Sequence, residues 1–171
     1  MATDQPFAAP IPVTPDLLVF EDGTPVSRES WQRRREELYH AVVDHEYGGM
    51  PPVPAKTEGI RLCRTSLRLE DGIGFHTYEV RSTFDDGQEA SFRLQLWIPA
   101  GDGPFPVVLD GDGCWRYFND SIIRRVVARG AIAASFDRTE LAADNPDRYR
   151  ETGIYRVMPD ATFGALSAWA W

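Results

Sequence analysis

The chain has 171 residues, 43% of them hydrophobic and 12% aromatic, a composition that supports a packed core and excludes a disordered tail. Lys and Arg number 18 against 26 Asp and Glu, giving a net charge of −8, and the basic run Arg33-Arg34-Arg35 is answered at once by Glu36-Glu37. Neither a nucleic-acid backbone nor an anionic membrane is therefore an expected partner.

No stretch nears the ~18 apolar residues of a membrane span. The N-terminus, Met1-Ala2-Thr3-Asp4-Gln5-Pro6-Phe7, has neither the basic nor the apolar region of a signal peptide. Cys63 and Cys114 stand far apart and make no disulfide framework. A cytoplasmic protein is the expectation.

Residues 1–26 carry Pro6, Pro10, Pro12, Pro15 and Pro25 and read as an extended arm. Ser27 is placed as the cap of a helix over 27–46, with Trp31, Leu38, Tyr39, Val42 and Val43 on one face and an Arg33–Glu37 pair outside. Gly48, Gly49, Pro51 and Pro52 end it. Over 57–98 the period changes to two. Ile60 and Leu62 open one strand, Ile73–Val80 forms a second, and Phe92, Leu94, Leu96 and Ile98 alternate with Ser91, Arg93, Gln95 and Trp97 in a third. Asp85-Asp86-Gly87 is the hairpin turn between the second and third, so three antiparallel strands come first.

Residues 105–136 differ in kind. Phe105-Pro106-Val107-Val108-Leu109 is continuously apolar, as a strand buried on both faces would be. Asn119 can cap a helix bearing Ile122, Ile123, Val126 and Val127, which Gly130 ends, and Ala131–Phe136 is a second buried strand. Strand, helix, strand at this spacing is a βαβ unit with parallel pairing and a right-handed crossover. A long loop over 137–160 follows. A helix over 161–171 then starts from Asp160 and carries no stop signal, so it is expected to be unfinished and to lack its partner elements. The fold class is α/β: the N-terminal half of an α/β-hydrolase, read as a single incomplete domain whose next parallel strand would bear the nucleophile elbow.

Ligands of open α/β sheets sit outside the carboxyl ends of the parallel strands, and two loops occupy that place. One is Asp110-Gly111-Asp112-Gly113-Cys114-Trp115-Arg116. Gly113 and its neighbours bring backbone N–H groups close to a ligand, and Trp115 offers a flat face for a sugar ring. The other reading is a tight turn around a packed Trp. The second loop starts at Asp137 and Arg138, which either orient a polar substrate or pair with each other to brace a long loop; bracing is favoured. Gly113, Cys114, Trp115, Arg116, Asp137 and Arg138 are thus the candidate substrate-binding residues.

No cofactor or metal is expected. Asp110-Gly111-Asp112-Gly113 begins like a calcium loop, but Cys114, Trp115 and Ser121 stand where Asp/Asn, Gly and Glu are needed. His40 and His45 are five apart on a helix and face different ways. Cys114 follows the wrong strand for a nucleophile and reads as a small buried thiol. His76 has no obvious partner, and no catalytic triad is found.

Five stretches carry a family resemblance: Leu17–Val26, Trp31–Glu37, Glu46–Pro52, Phe136–Asn145 and Ala161–Trp171. In their order and spacing the chain resembles the N-terminal part of glucuronoyl esterases and their acetylxylan-esterase-like relatives (carbohydrate esterase family 15). The resemblance implies an α/β-hydrolase of roughly twice this length. It implies a serine esterase that cleaves the ester between 4-O-methyl-glucuronic acid and lignin alcohols. The family's serine lies in G-C-S-R-x-G-K, followed later by an acidic residue and a histidine, and no position here matches that motif. By analogy, the loops around Trp115 and from Asp137 line part of the cleft.

The expected function is an N-terminal part of a carbohydrate-esterase-like serine hydrolase acting on a sugar or uronic-acid ester, inactive alone, its partner a missing C-terminal half or second chain. A non-catalytic carbohydrate-binding or truncated protein, and one chain of a two-chain hydrolase, are the alternatives.

Overall fold

Residues 16–66, 72–115 and 118–171 are described by the structure, a computed structural model. The chain expected to form one domain divides into two compact units, and the second is Tyr47–Trp171.

Of the expected arm over 1–26, residues 1–15 lie outside the described residues, and in the first unit residues 18–26 form a small hairpin. Val26 N donates to Leu18 O (2.8 Å), Phe20 N to Thr24 O (2.9 Å), and Val19 bridges Pro25. The cause is the Asp22-Gly23 turn. Asp22 Oδ1 accepts from Thr24 N and Oγ1, at 2.9 and 2.6 Å, which holds the Asp22 carboxyl below its usual range. The helix begins later than expected. Ser27 lies in the preceding turn, where its N–H donates to Ser30 Oγ (2.8 Å), and α1 runs Trp31–Tyr39 before widening into a π-helical segment, His40–Glu46. The expected Arg33–Glu37 pair is present at 3.7 Å. The apolar face is not the buried one: Trp31, Tyr39 and Val42 are exposed, while Arg34 is 4% exposed. Arg34 is buried because its guanidinium finds acceptors inside, Leu17 O, Asp16 O and Glu37 Oε2.

The second unit is built on a five-stranded sheet: β1 (Lys56–Ser66), β2 (Gly74–Thr83), β3 (Glu89–Ile98), β4 (Val107–Asp110) and β5 (Ile132–Phe136), in the order β1-β2-β3-β5-β4. The first three strands form an antiparallel meander, turning at Asp85-Asp86-Gly87 where Phe84 N and Gln88 O close the hairpin. Strand β5 pairs antiparallel with β3 and parallel with β4, and the helix α2 (Asp120–Val127) connects β4 to β5. Asn119 caps α2 by accepting from Ile122 N at 3.0 Å, and Gly130 (φ +71°) ends it. Buried Ile123 and Val127 of α2 lie with Ile73 and Ala133 against one face of the sheet.

Strand β4 departs from the sequence reading. It lies at the edge, and Val107, Val108 and Leu109 are 55, 44 and 61% exposed. A continuous apolar run marks a strand suited to burial on both faces, and the position in the sheet decides whether it is buried.

The segment expected as a loop, 137–160, is a core element. Three short 3₁₀ turns, Arg138–Glu140, Tyr149–Glu151 and Gly153–Arg156, carry Leu141, Ala142, Ile154 and Tyr155 into the interior at 3% exposure or less. The coil doubles back at Gly153, where φ is +52° and an added Cβ would sit 2.0 Å from Leu141 O. Helix α3 is shorter than expected, Ala165–Ala170, with Gly164 and not Asp160 at its N-cap. Ala168 and Trp169 have partners within the chain, whereas Leu166 is 54% exposed. Ala168 is fully buried, Trp169 Nε1 donates to Ala142 O (2.8 Å), and Trp171 stacks on Phe84 at 5.7 Å and donates to Pro52 O.

Candidate functional site

Strands β4 and β5 are parallel, so their carboxyl ends emerge together, and the loops 111–115 and 137–144 leave from there. The loops are fastened to each other. Gly113 N donates to Phe136 O at 3.0 Å, and Asp112 bridges Asp137. Only glycine fits at 113, because a Cβ would lie 2.8 Å from Phe136 O.

Asp137 and Arg138 do not pair with each other. Asp137 Oδ1 accepts from Thr139 N and Oγ1, at 2.8 and 2.5 Å, and so caps the turn Arg138–Glu140. Arg138 reaches the opposite way. Its Nε lies 3.2 Å from Asp112 Oδ1, its Nη2 is 2.9 Å from Asp144 Oδ2, and its guanidinium covers the Trp169 ring at 4.2 Å. One side chain, 18% exposed, thereby ties the loop after β4, the segment after β5 and helix α3 together.

The remaining loop candidates lie at the surface. Cys114 is exposed, contrary to the buried thiol expected, because the Asp112–Trp115 turn directs it outward. Partial desolvation and the carboxylate of Asp137 raise its pKa, so the thiol stays protonated at neutral pH and does not resemble an activated nucleophile. Trp115 is 72% exposed, a bare indole and not a packed one. Arg116 lies outside the described residues.

Beside the loops a cleft of about 590 Å³ opens along one sheet face. Gly113 and Asp137 line it, together with Thr77, Arg93, Gln95 and Glu140. The sequence reading missed the last four. Arg93 and Gln95 belong to the polar alternation of β3, which periodicity assigns to solvent. Glu140 gathers Arg93 by accepting from its backbone N at 3.0 Å and from its Nε at 3.2 Å. Ser135, 5% exposed, also lines the cleft, and its hydroxyl donates to Asp110 Oδ2 at 3.5 Å.

Among the described residues no hydroxyl or thiol is hydrogen-bonded to an imidazole. His40 pairs with Asp44 in the first unit. His76 on β2 has its Nδ1 enclosed without a partner, and burial, reinforced by Arg64 and Arg61, lowers its pKa. Among the same residues no three His, Cys, Asp or Glu side chains are grouped to hold a metal, and no helix is long and apolar enough to cross a membrane.

An antiparallel meander leading into a parallel βαβ unit, with paired loops at the strand ends, is the N-terminal half of an α/β-hydrolase. A family model for glucuronyl esterases of fungi matches residues 82–171, more than half of the chain. The chain belongs to the glucuronyl esterase family. It is 26% identical over 163 residues to 4-O-methyl-glucuronoyl methylesterase 1 of Wolfiporia cocos, a match spanning 92% of this chain and 36% of that protein. Among solved structures it is similar to a CE15 glucuronoyl esterase from Teredinibacter turnerae, with TM-score 0.71, 21% identity, and 99% of this chain against 49% of that one. A glucuronoyl esterase from Solibacter usitatus gives TM-score 0.68 at 22% identity, covering 91% of this chain and 50% of the other. The chain therefore spans about a third of the length of the curated relatives it matches and half of the solved structures.

Proposed function

We propose that this chain is the amino-terminal part of a serine esterase that hydrolyses a carboxylic ester of a sugar or uronic acid. It supplies one wall of the substrate cleft and does not hydrolyse the ester alone. The family match across residues 82–171, which takes in both strand-end loops and the segment that braces them, is the observation that carries this reading. The nucleophile, histidine and acid come from polypeptide outside these residues, since no hydroxyl or thiol described here is activated by an imidazole. The glycine-spaced backbone at 111–113 and the polar groups of Asp137, Arg93 and Gln95 are the cleft's means of holding a hydroxylated ring.

The exposed indole of Trp115 also favours a second reading, a carbohydrate-binding part without catalysis of its own. Titration of the isotopically labelled chain with methyl 4-O-methyl-glucuronate tests the first. Amide shifts at Gly113 and Asp137, with no methanol released above the blank, are expected. Methanol release by the chain alone would place the nucleophile inside it, and unmoved amides in the strand-end loops would remove the cleft assignment. Shifts confined to Trp115 would favour the second reading.

A further inference from the structure

Along β3 the residues Arg93, Gln95 and Trp97 point to one face of the sheet, and they divide the cleft of about 590 Å³ into three zones. Gln95 lies level with Thr77 on β2 and Ser135 on β5, so three uncharged polar side chains form a row across its floor. Trp97 and Phe118 make an aromatic end. The other end holds the charges, Arg93, Glu140 and Asp137.

Glu140 is placed there by the backbone. Strand β5 stops at Phe136, opposite Leu94, so the N–H of Arg93 has no partner in β5 and donates to Glu140 Oε2 at 3.0 Å. The same carboxylate lies against Arg93 Nε at 3.2 and 3.5 Å, where it neutralises the guanidinium and takes one side of its fork. The neighbouring charges do not offset Asp137. Arg138 is turned away to Asp112 and Asp144, and Glu79, opposite Arg93 on β2, is matched by Arg81 at 3.1 Å. Asp110, which accepts from the Ser135 hydroxyl at 3.5 Å, adds a further acid. Among the described residues this end of the cleft is therefore negative, and an anion brought beside Glu140 and Asp137 meets repulsion in place of a counter-charge.

We propose that Glu140 is a specificity-determining residue that makes the cleft selective for an uncharged sugar ring. A uronic ester, being neutral, is accepted over the floor and against the aromatic end. The free uronate left by hydrolysis of that ester is turned away, so product does not compete with substrate. The proposal rests on the esterase reading only for the choice of ester and acid as the pair to be told apart.

The test titrates the isotopically labelled chain with methyl 4-O-methyl-glucuronate, with its saponified acid, and with uncharged methyl glucoside. The amides of Arg93, Gln95 and Asp137 should shift with the ester and the glucoside, and the acid should bind at least about tenfold more weakly than the ester. Salt at about 1 M should narrow that gap, because it screens the repulsion. Glu140→Gln leaves an acceptor for the Arg93 N–H but removes the charge. In this variant affinity for the acid should rise at least about tenfold, while affinity for the ester changes less than about threefold. Asp137→Asn still caps the turn that follows and should move the acid in the same direction. Equal affinity for ester and acid, or a preference that neither variant alters, overturns the proposal and leaves the esterase reading standing. Binding of the glucoside and rejection of the acid, without binding of the ester, upholds the charge selection and counts against the esterase reading. Cleft amides unmoved by either uncharged ring overturn the proposal and remove the cleft assignment with it.

Discussion

Arg138 does more for the site by position than by contact with a ligand. Its planar fork satisfies Asp112 and Asp144 on separate segments while its face covers Trp169. Replacing it with leucine leaves both carboxylates without their cation and uncovers the indole. With hydrogen bonds to charged groups at about 1.5–3 kcal/mol, and both acids partly exposed, Arg138→Leu should cost about 2–3 kcal/mol in urea denaturation. Arg138→Lys keeps the charge but reaches one carboxylate at a time, and should lose about half as much. Equal stability of all three proteins would show that the brace carries no load. The sequence showed that an arginine follows the strand end and that bracing was its better reading. It could not show which acids it would meet, because Asp112 becomes its neighbour only when β4 and β5 pair. The exposure of Cys114 and Trp115 was hidden for the same kind of reason: composition registers their apolarity, and the Asp112–Trp115 turn sets their direction.

The coil between β5 and α3 shows how an element can be misread by period alone. It has neither a 3.6 nor a 2.0 repeat, yet its 3₁₀ turns place Leu141, Ala142, Ile154 and Tyr155 in the core. Tyr155 is its anchor, 1% exposed, with its hydroxyl donating to Phe163 O at 3.0 Å and its ring against Tyr149 and Phe163. Burial, with Tyr149 nearby, pushes its pKa from 10.0 up to about 12. The folded state therefore holds this proton more tightly than the unfolded state does. The stabilisation is complete below pH 10 and is lost as pH rises from about 10 through about 12. Absorbance titration at 295 nm should show Tyr155 as a late step. In Tyr155→Phe this late step should disappear, and stability at neutral pH should fall by about 1–2 kcal/mol as the Phe163 carbonyl loses its donor. A titration curve unchanged by the substitution would contradict the assignment. By contrast, the antiparallel meander and the βαβ unit were legible, since alternation in β3 and the Asn119 and Gly130 signals of α2 are local chemistry. The edge position of β4 was not, because strand order is a property of pairing and no residue in Val107–Leu109 encodes it alone.

The second unit has two buried clusters, one around Ile123, Val127, Ile73 and Ala133, the other around Tyr155, Ile154, Phe163 and Phe84. Strand β3 lies between β2 and β5, so the clusters share one hydrogen-bonded sheet and should unfold together. Trp97 reports on the first cluster, and Trp169 and Trp171 on the second. Ile123→Ala should cost about 2–4 kcal/mol and Phe163→Ala about 3–5 kcal/mol, each lowering a single midpoint seen by all three indoles in single-tryptophan variants. Separate midpoints would mean two cooperative units within Tyr47–Trp171. The second cluster has one more consequence. Phe84 and Ala90 belong to the hairpin made early in synthesis, but the residues that cover them, from Ala142 to Ala168, are made later. During translation the meander therefore emerges with its apolar side bare and stays so until the segment Ala142–Ala168 clears the ribosome, an interval in which the nascent chain is open to aggregation.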